Sequence, residues 1–232
     1  RVIIFSGFDE FEYAKEAIQI EVEEYILKPI DAGNLKEVFG RIREKIDREM
    51  DEKRNIDKLR EYYMESLPIL QENFYTSLID GRIPEDEIER YLDDYQISLT
   101  GPYYVVSILH ISATDISQNM NTFLLGVSVK KLVEEHMEDE WKSRILMYLG
   151  DIVVITQLER QDQINAFTDF MDQLCRLAKH VCEAAVTAGI GYVCNNLPDI
   201  RQSWQGARSA VSYRVLYGNT RAINIAEIDP ME

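Results

Sequence analysis

Side chains that could bind a metal ion or attack a substrate are few in this 232-residue chain, and their spacing promises little chemistry. Cys175, Cys182 and Cys194 form an odd set without a CxxC pair. A metal or disulfide site is one reading; buried apolar thiols in a reducing compartment is the other, and the spacing favours it. His110, His136 and His180 stand alone, with no HExxH and no paired acidic neighbours. No metal site is therefore expected. Gly150-Asp151 lies between two apolar runs and has the composition a tight turn wants. Ser6, Tyr25 and Lys28 lie in or beside two other short runs. Taken singly they read as a turn residue, a core aromatic and a surface charge.

The charge balance excludes one class of function. The net charge is −16 and the sequence pI about 4.7, with 46% apolar and 28% charged residues. A nucleic-acid surface needs a basic stripe facing the phosphates, and none is present. Any DNA-binding role would have to lie in other residues. No apolar run approaches the roughly 18 residues of a membrane helix and nothing resembles a signal peptide, so a cytoplasmic protein without membrane contact is expected. The chain opens at Arg1 directly on the apolar run Val2-Ile3-Ile4-Phe5, which reads as the interior of a longer protein.

The elements that must position these residues fall into three stretches. In residues 1–48, Val2 to Phe5 and Tyr25-Ile26-Leu27 are short apolar runs of buried-strand character. Between them Phe11, Ala14, Ala17 and Ile18 recur at helical spacing, giving an α/β unit with parallel strands. Asp31 is a suitable N-cap for the next helix. Residues 49–100 read as a helical linker. Leu35, Val38, Phe39, Ile42 and Ile46 form an apolar stripe, resumed by Ile56, Leu59, Tyr63 and Leu67, with no Gly or Pro between Arg41 and Leu67. A narrow seam on a charged helix of this length suggests a two-stranded coiled coil and a homodimer, although Glu49 and Lys53 fall near apolar positions. Pro68 predicts a kink or a new helix start. Asp80-Gly81 closes the next stripe, and Pro84 opens a helix over residues 85–95.

Residues 101–230 change texture. Strands are predicted over 103–111, 144–148, 152–156, 185–193 and 223–225, and helices over 122–137, 163–181 and 198–217. This order is a split ferredoxin-like α+β arrangement with an added helix and strand. An antiparallel sheet with helices largely on one face is expected. The fold class is thus α/β plus α+β.

The order of motifs in the first stretch resembles the second half of a response-regulator receiver domain. The motifs are Ile3-Ile4-Phe5-Ser6-Gly7-Phe8, Tyr13-Ala14-Lys15-Glu16-Ala17-Ile18 and Tyr25-Ile26-Leu27-Lys28-Pro29-Ile30. The resemblance implies that Ser6 contacts a phosphoryl group, that Tyr25 is the switching aromatic, that Lys28 pairs with phosphoryl oxygens, and that Pro29 follows a cis peptide. A phosphoaspartate adds charge and acceptor oxygens, which a hydroxyl and an ammonium can pair with. The phosphoacceptor aspartate and the acidic pair that holds Mg2+ belong to the first half of such a domain and are not in this chain. No cofactor is expected in the residues present. Two lone strands cannot bury their faces as a full sheet does, so they are expected to be mobile, or swapped or packed against a second chain.

From Tyr103 to Ile228 the chain resembles the degenerate GGDEF-like domain of AraC-family response regulators. Thr187-Ala188-Gly189-Ile190-Gly191, Ala207, Ala210, Tyr213-Arg214 and Gly218 carry the match. The signature position falls on Met147-Tyr148-Leu149-Gly150-Asp151-Ile152-Val153. A working cyclase has two small residues there, followed by carboxylates for metal. Here Leu149 replaces the first glycine and Ile152 the key glutamate, while Gly150 and Asp151 remain. The metal aspartate of the first strand corresponds to His110 or Ser112. Two-metal phosphoryl chemistry does not run on one carboxylate, so the chain is expected not to be an enzyme. The resemblance further implies a cognate sensor histidine kinase and a C-terminal AraC-type DNA-binding domain absent from these residues. The leading expectation is a relay from receiver phosphorylation to transcription. A nucleotide or small-molecule sensor and a plain dimerisation scaffold are the alternatives.

Overall fold

The computed structural model of the chain describes residues 2–7, 15, 19, 22–112, 122–137 and 141–229. The helix read from Phe11, Ala14, Ala17 and Ile18 lies outside the described residues. Two compact units are formed, Arg1–Ser66 and Leu67–Glu232. Their boundary falls inside the stretch read as a linker.

In the first unit, β1 (Ile3–Ser6) and β2 (Glu24–Leu27) pair in parallel, with Ile4 opposite Tyr25 and Ser6 opposite Leu27. No residue of either strand is fully buried, which is what a two-stranded remnant must accept. The long helix α1 (Ala32–Asp80) starts behind Asp31, whose Oδ1 accepts the Asn34 N–H at 2.8 Å. This satisfies one of the orphan donors of the first turn. Arg41 pairs with Glu24 at 3.2 Å and Lys45 pairs with Glu23, linking the N-terminal part of the helix to β2 and the residue before it. Val38 is buried, whereas Phe39, Ile46, Ile56 and Leu59 on the predicted seam are exposed.

α1 continues through Pro68, where the sequence predicts a kink or a fresh start. Proline removes one hydrogen bond, to the carbonyl of Met64. Met64 is itself exposed, so water can serve that carbonyl, and buried Leu67 and Phe74 hold the helix on either side. The helix ends as predicted at Asp80-Gly81, where the Arg82 N–H reaches the Ser77 carbonyl at 2.9 Å. Helix α2 (Glu85–Asp94) follows Pro84 with three acidic residues in its first turn, which complement the helix dipole.

The second unit is built on a five-stranded sheet in the order β4 (Ser143–Tyr148), β5 (Asp151–Leu158), β3 (Tyr103–Ile111), β6 (Val186–Ile190) and β7 (Ala222–Asn224). Neighbours are antiparallel except β6 and β7, which run parallel. The sheet is therefore mixed. Helices cover both faces instead of largely one. Val105 and Leu109 face α3 (Thr122–Met137) and α4 (Ile164–Val181), which contribute Leu125, Val129, Phe167 and Met171. Tyr104, Val106 and Ile108 face the other way, against α5 (Ile200–Ser212), α2 and the last turns of α1. A strand buried on both faces reads as a continuous apolar run, and β3 does. The helix predicted over 198–217 is divided into α5 and the short α6 (Arg214–Tyr217), and α7 (Ile225–Ile228) closes the chain.

Close contact of α5 with β6 depends on two glycines. A Cβ at Gly189 would lie 2.3 Å from the Ala207 carbonyl oxygen, and one at Gly191 only 1.9 Å from that of Ser203. Ser203 uses this proximity, accepting the Val106 N–H on its hydroxyl at 2.8 Å.

Candidate functional site

Two groups of residues carry the chemistry considered above. The first lies at the carboxyl ends of β1 and β2. Parallel pairing brings Ser6 and Lys28 together there, the Lys28 N–H donating to the Ser6 carbonyl at 2.8 Å. The Lys28 side chain is exposed and the Lys28–Pro29 peptide is cis. Tyr25 lies one strand position back from this end and is half-buried.

The second group surrounds the β4–β5 hairpin. Tyr148 pairs with Asp151, so the turn residues are Leu149 and Gly150, not the Gly150-Asp151 pair that the sequence suggests. Both adopt positive φ, +52° at Leu149 and +87° at Gly150. This is the backbone of a two-residue turn that matches strand twist, and it prefers Gly or Asn at both places. Leu149 is 77% exposed, so packing does not explain its presence.

The hairpin is tied on both sides of this turn. On the β5 side, Asp151 Oδ1 lies 2.8 Å from His110 Nδ1, and both side chains are about 30% exposed. Of the two candidates for the lost aspartate position, His110 is thus the one brought to the hairpin. Ser112 instead donates its backbone N–H to the Ala185 carbonyl. On the β4 side, the Tyr148 hydroxyl reaches both carboxylate oxygens of Asp80 at 2.8 Å, and Arg82 pairs with the same carboxylate at 2.8 Å. The Tyr148 ring meets Trp204 edge-on at 5.7 Å, and the Arg208 guanidinium stacks over Trp204 at 5.7 Å. The hydrogen bond to Asp80 raises the Tyr148 hydroxyl above the ordinary tyrosine range, with burial adding to it. Ile152, which the resemblance sets at the glutamate position, is fully buried in the core on the α3 and α4 side.

This arrangement does not suit a pair of divalent cations. Hard cations need several oxygen ligands, and the hairpin offers Asp151 alone, already bonded to an imidazole. Among the described residues no three His, Cys, Asp or Glu gather at one place. The Tyr148–Asp80 and His110–Asp151 contacts were not legible beforehand. Strand alternation would have aligned His110 with Asp151 once the register of β3 and β5 was known. Asp80 carried only the signal of a helix end.

The family model described as "GGDEF-like domain" matches residues 80–213, more than half of the chain. The Transcriptional regulatory protein HptR of Staphylococcus aureus (strain NCTC 8325 / PS 47) is 31% identical over 85 residues, 36% of this chain and 34% of that protein. An uncharacterized response regulatory protein of Staphylococcus epidermidis is 30% identical over 88 residues, 37% of this chain and 34% of that protein. The chain thus spans about a third of the length of the curated relatives it matches. From the hairpin geometry and this match together, the chain belongs to the GGDEF-like domain family and shares similarity with transcriptional response regulators.

Proposed function

We propose that this chain is the relay segment of a two-component transcriptional regulator and is not a cyclase. Phosphorylation of an aspartate outside these residues alters the end of β1 and β2, where Ser6, Tyr25 and Lys28 respond to it. The change passes along α1 to an AraC-type DNA-binding domain, also outside these residues. The observation that carries the reading is α1 itself. One helix starts four residues after Lys28 and ends at Asp80, the residue that Tyr148 of the signature hairpin grips. Signals of this kind bias a two-state element, and a helix fixed at both ends is a suitable carrier.

In this reading the protein is cytoplasmic and is served by a sensor histidine kinase. It uses Mg2+ only in the intact receiver domain and forms a homodimer through α1. No helix among the described residues is long and apolar enough to cross a membrane. The hairpin serves as a structural part: Asp151 is bonded to His110, and the resemblance assigns metal-bound carboxylates of a working cyclase to this region. The test is to treat the full-length parent protein with a small-molecule phosphodonor and measure its oligomeric state and operator affinity. A shift in both is expected. An unchanged pair of values would sink the relay.

A further inference from the structure

We propose that the exposed seam of α1 between Phe39 and Tyr63 binds the same seam of a second copy running in the opposite direction. The inference rests on the homodimer reading above and adds its orientation. All the residues involved lie in the first compact unit.

Phe39, Ile46, Lys53 and Arg60 recur every seven residues, and Ile42, Glu49, Ile56 and Tyr63 recur in step with them. These two sets are the core positions of a two-stranded coiled coil. Phe39, Ile46 and Ile56 are 48%, 38% and 63% exposed, and Ile42 is half-buried at the edge of a cavity that Glu23 and Glu24 also line. Charge decides how two such stripes fit. In a parallel pair each core residue meets its own copy, so Glu49 faces Glu49, Lys53 faces Lys53 and Arg60 faces Arg60. The flanks add Glu52 against Asp57. Every charged layer is then repulsive, and like charges at close quarters oppose association.

Reversing one strand about residue 51 removes most of these conflicts. Glu49 then faces Lys53, and two-fold symmetry makes the contact twice. Ile46 faces Ile56 and Phe39 faces Tyr63, while Ile42 lies against the aliphatic stem of Arg60. On one flank Arg43 meets Asp57, again twice, and Met50, 55% exposed, meets its own copy across the axis. Within its own chain Arg43 makes an exposed pair with Asp47 at 3.7 Å. The remaining conflict is Glu52 with its copy. The two residues that spoil the seam in a parallel pairing, Glu49 and Lys53, become its complementary centre in the antiparallel one.

The test is sedimentation equilibrium at low salt on the full chain and on E49K, K53E and the double variant E49K/K53E. Both positions are exposed on the helix, and circular dichroism checks that each variant keeps its helix content. Each single reversal turns two attractive contacts into repulsive ones and should weaken the dimer roughly tenfold or more. The double variant restores the pairing and should return to within about twofold of the starting affinity. A dimer indifferent to the single reversals, or a double variant that fails to recover, overturns the antiparallel pairing while leaving the homodimer reading intact. A chain that stays monomeric at high micromolar concentration overturns both.

Discussion

Leu149 is the most informative position to perturb, because its conformation and its exposure disagree with its type. Its φ of +52° is in the left-handed region, where an L-residue with a Cβ loses roughly 1–2 kcal/mol. With 77% of its surface exposed there is little packing to lose on truncation. Leu149→Gly removes the strain but gives the unfolded chain more freedom, at a cost of about 0.5–1 kcal/mol. The balance is a gain of about 0.5–1 kcal/mol. For the unit from Leu67 to Glu232 this corresponds to a rise in Tm of about 1–4 °C. Leu149→Asn, which tolerates the same backbone without the entropy of glycine, should gain as much or more. Gly150→Ala is the control: its Cβ would enter open space, so only the backbone at φ +87° resists, and a loss of about 1 kcal/mol follows. Urea midpoints and thermal melts followed by circular dichroism read all three. If Leu149→Gly lowered Tm, the reasoning would fail, and Leu149 would have to be making contacts that its exposure denies.

Three other outcomes are expected. Tyr148→Phe deletes the donor to the Asp80 carboxylate and should cost about 1–2 kcal/mol in urea denaturation. Because the Tyr148 hydroxyl titrates above its ordinary value of 10.0, its contribution is complete below that pH and is lost as pH rises through the raised folded value. The alkaline fall in stability should therefore be smaller in Tyr148→Phe, as a pH series of midpoints would show. Cys175 and Cys194 are pushed up to about 12 by burial, so a thiol reagent at mildly alkaline pH should label Cys182 well before either of them in the native chain. Finally, Gly191→Ala would drive a methyl group into the Ser203 carbonyl and should destabilise the second unit by about 3 kcal/mol or more, read as a lowered urea midpoint.

Much of the architecture was legible because it follows from periodicity and caps. Residues 103–111 and 122–137 become β3 and α3 with the predicted bounds, and Asp31 caps α1 as its type suggests. Positions governed by context were less legible. Pro68 carries a helix-breaking signal, yet the buried neighbours Leu67 and Phe74 outweigh one lost hydrogen bond. The turn was displaced by one residue because Gly-Asp has strong turn composition, whereas Leu149 has none and adopts positive φ nonetheless. Helices on both faces of the sheet could have been anticipated from β3, whose run is apolar without alternation. The contacts at Asp80 and His110 depend on chain segments distant in sequence, and no local pattern encodes such pairing.

The most direct test of the relay is to change the length of α1 in the full-length parent protein and measure how phosphodonor alters operator affinity. An insertion of two residues after Asp57 turns the downstream helix by about 200°, whereas seven residues restore its phase to within about 20°. The relay predicts that the two-residue insertion abolishes the phosphodonor response and the seven-residue insertion keeps it. A response of equal size in both proteins would show that the signal does not travel along this helix.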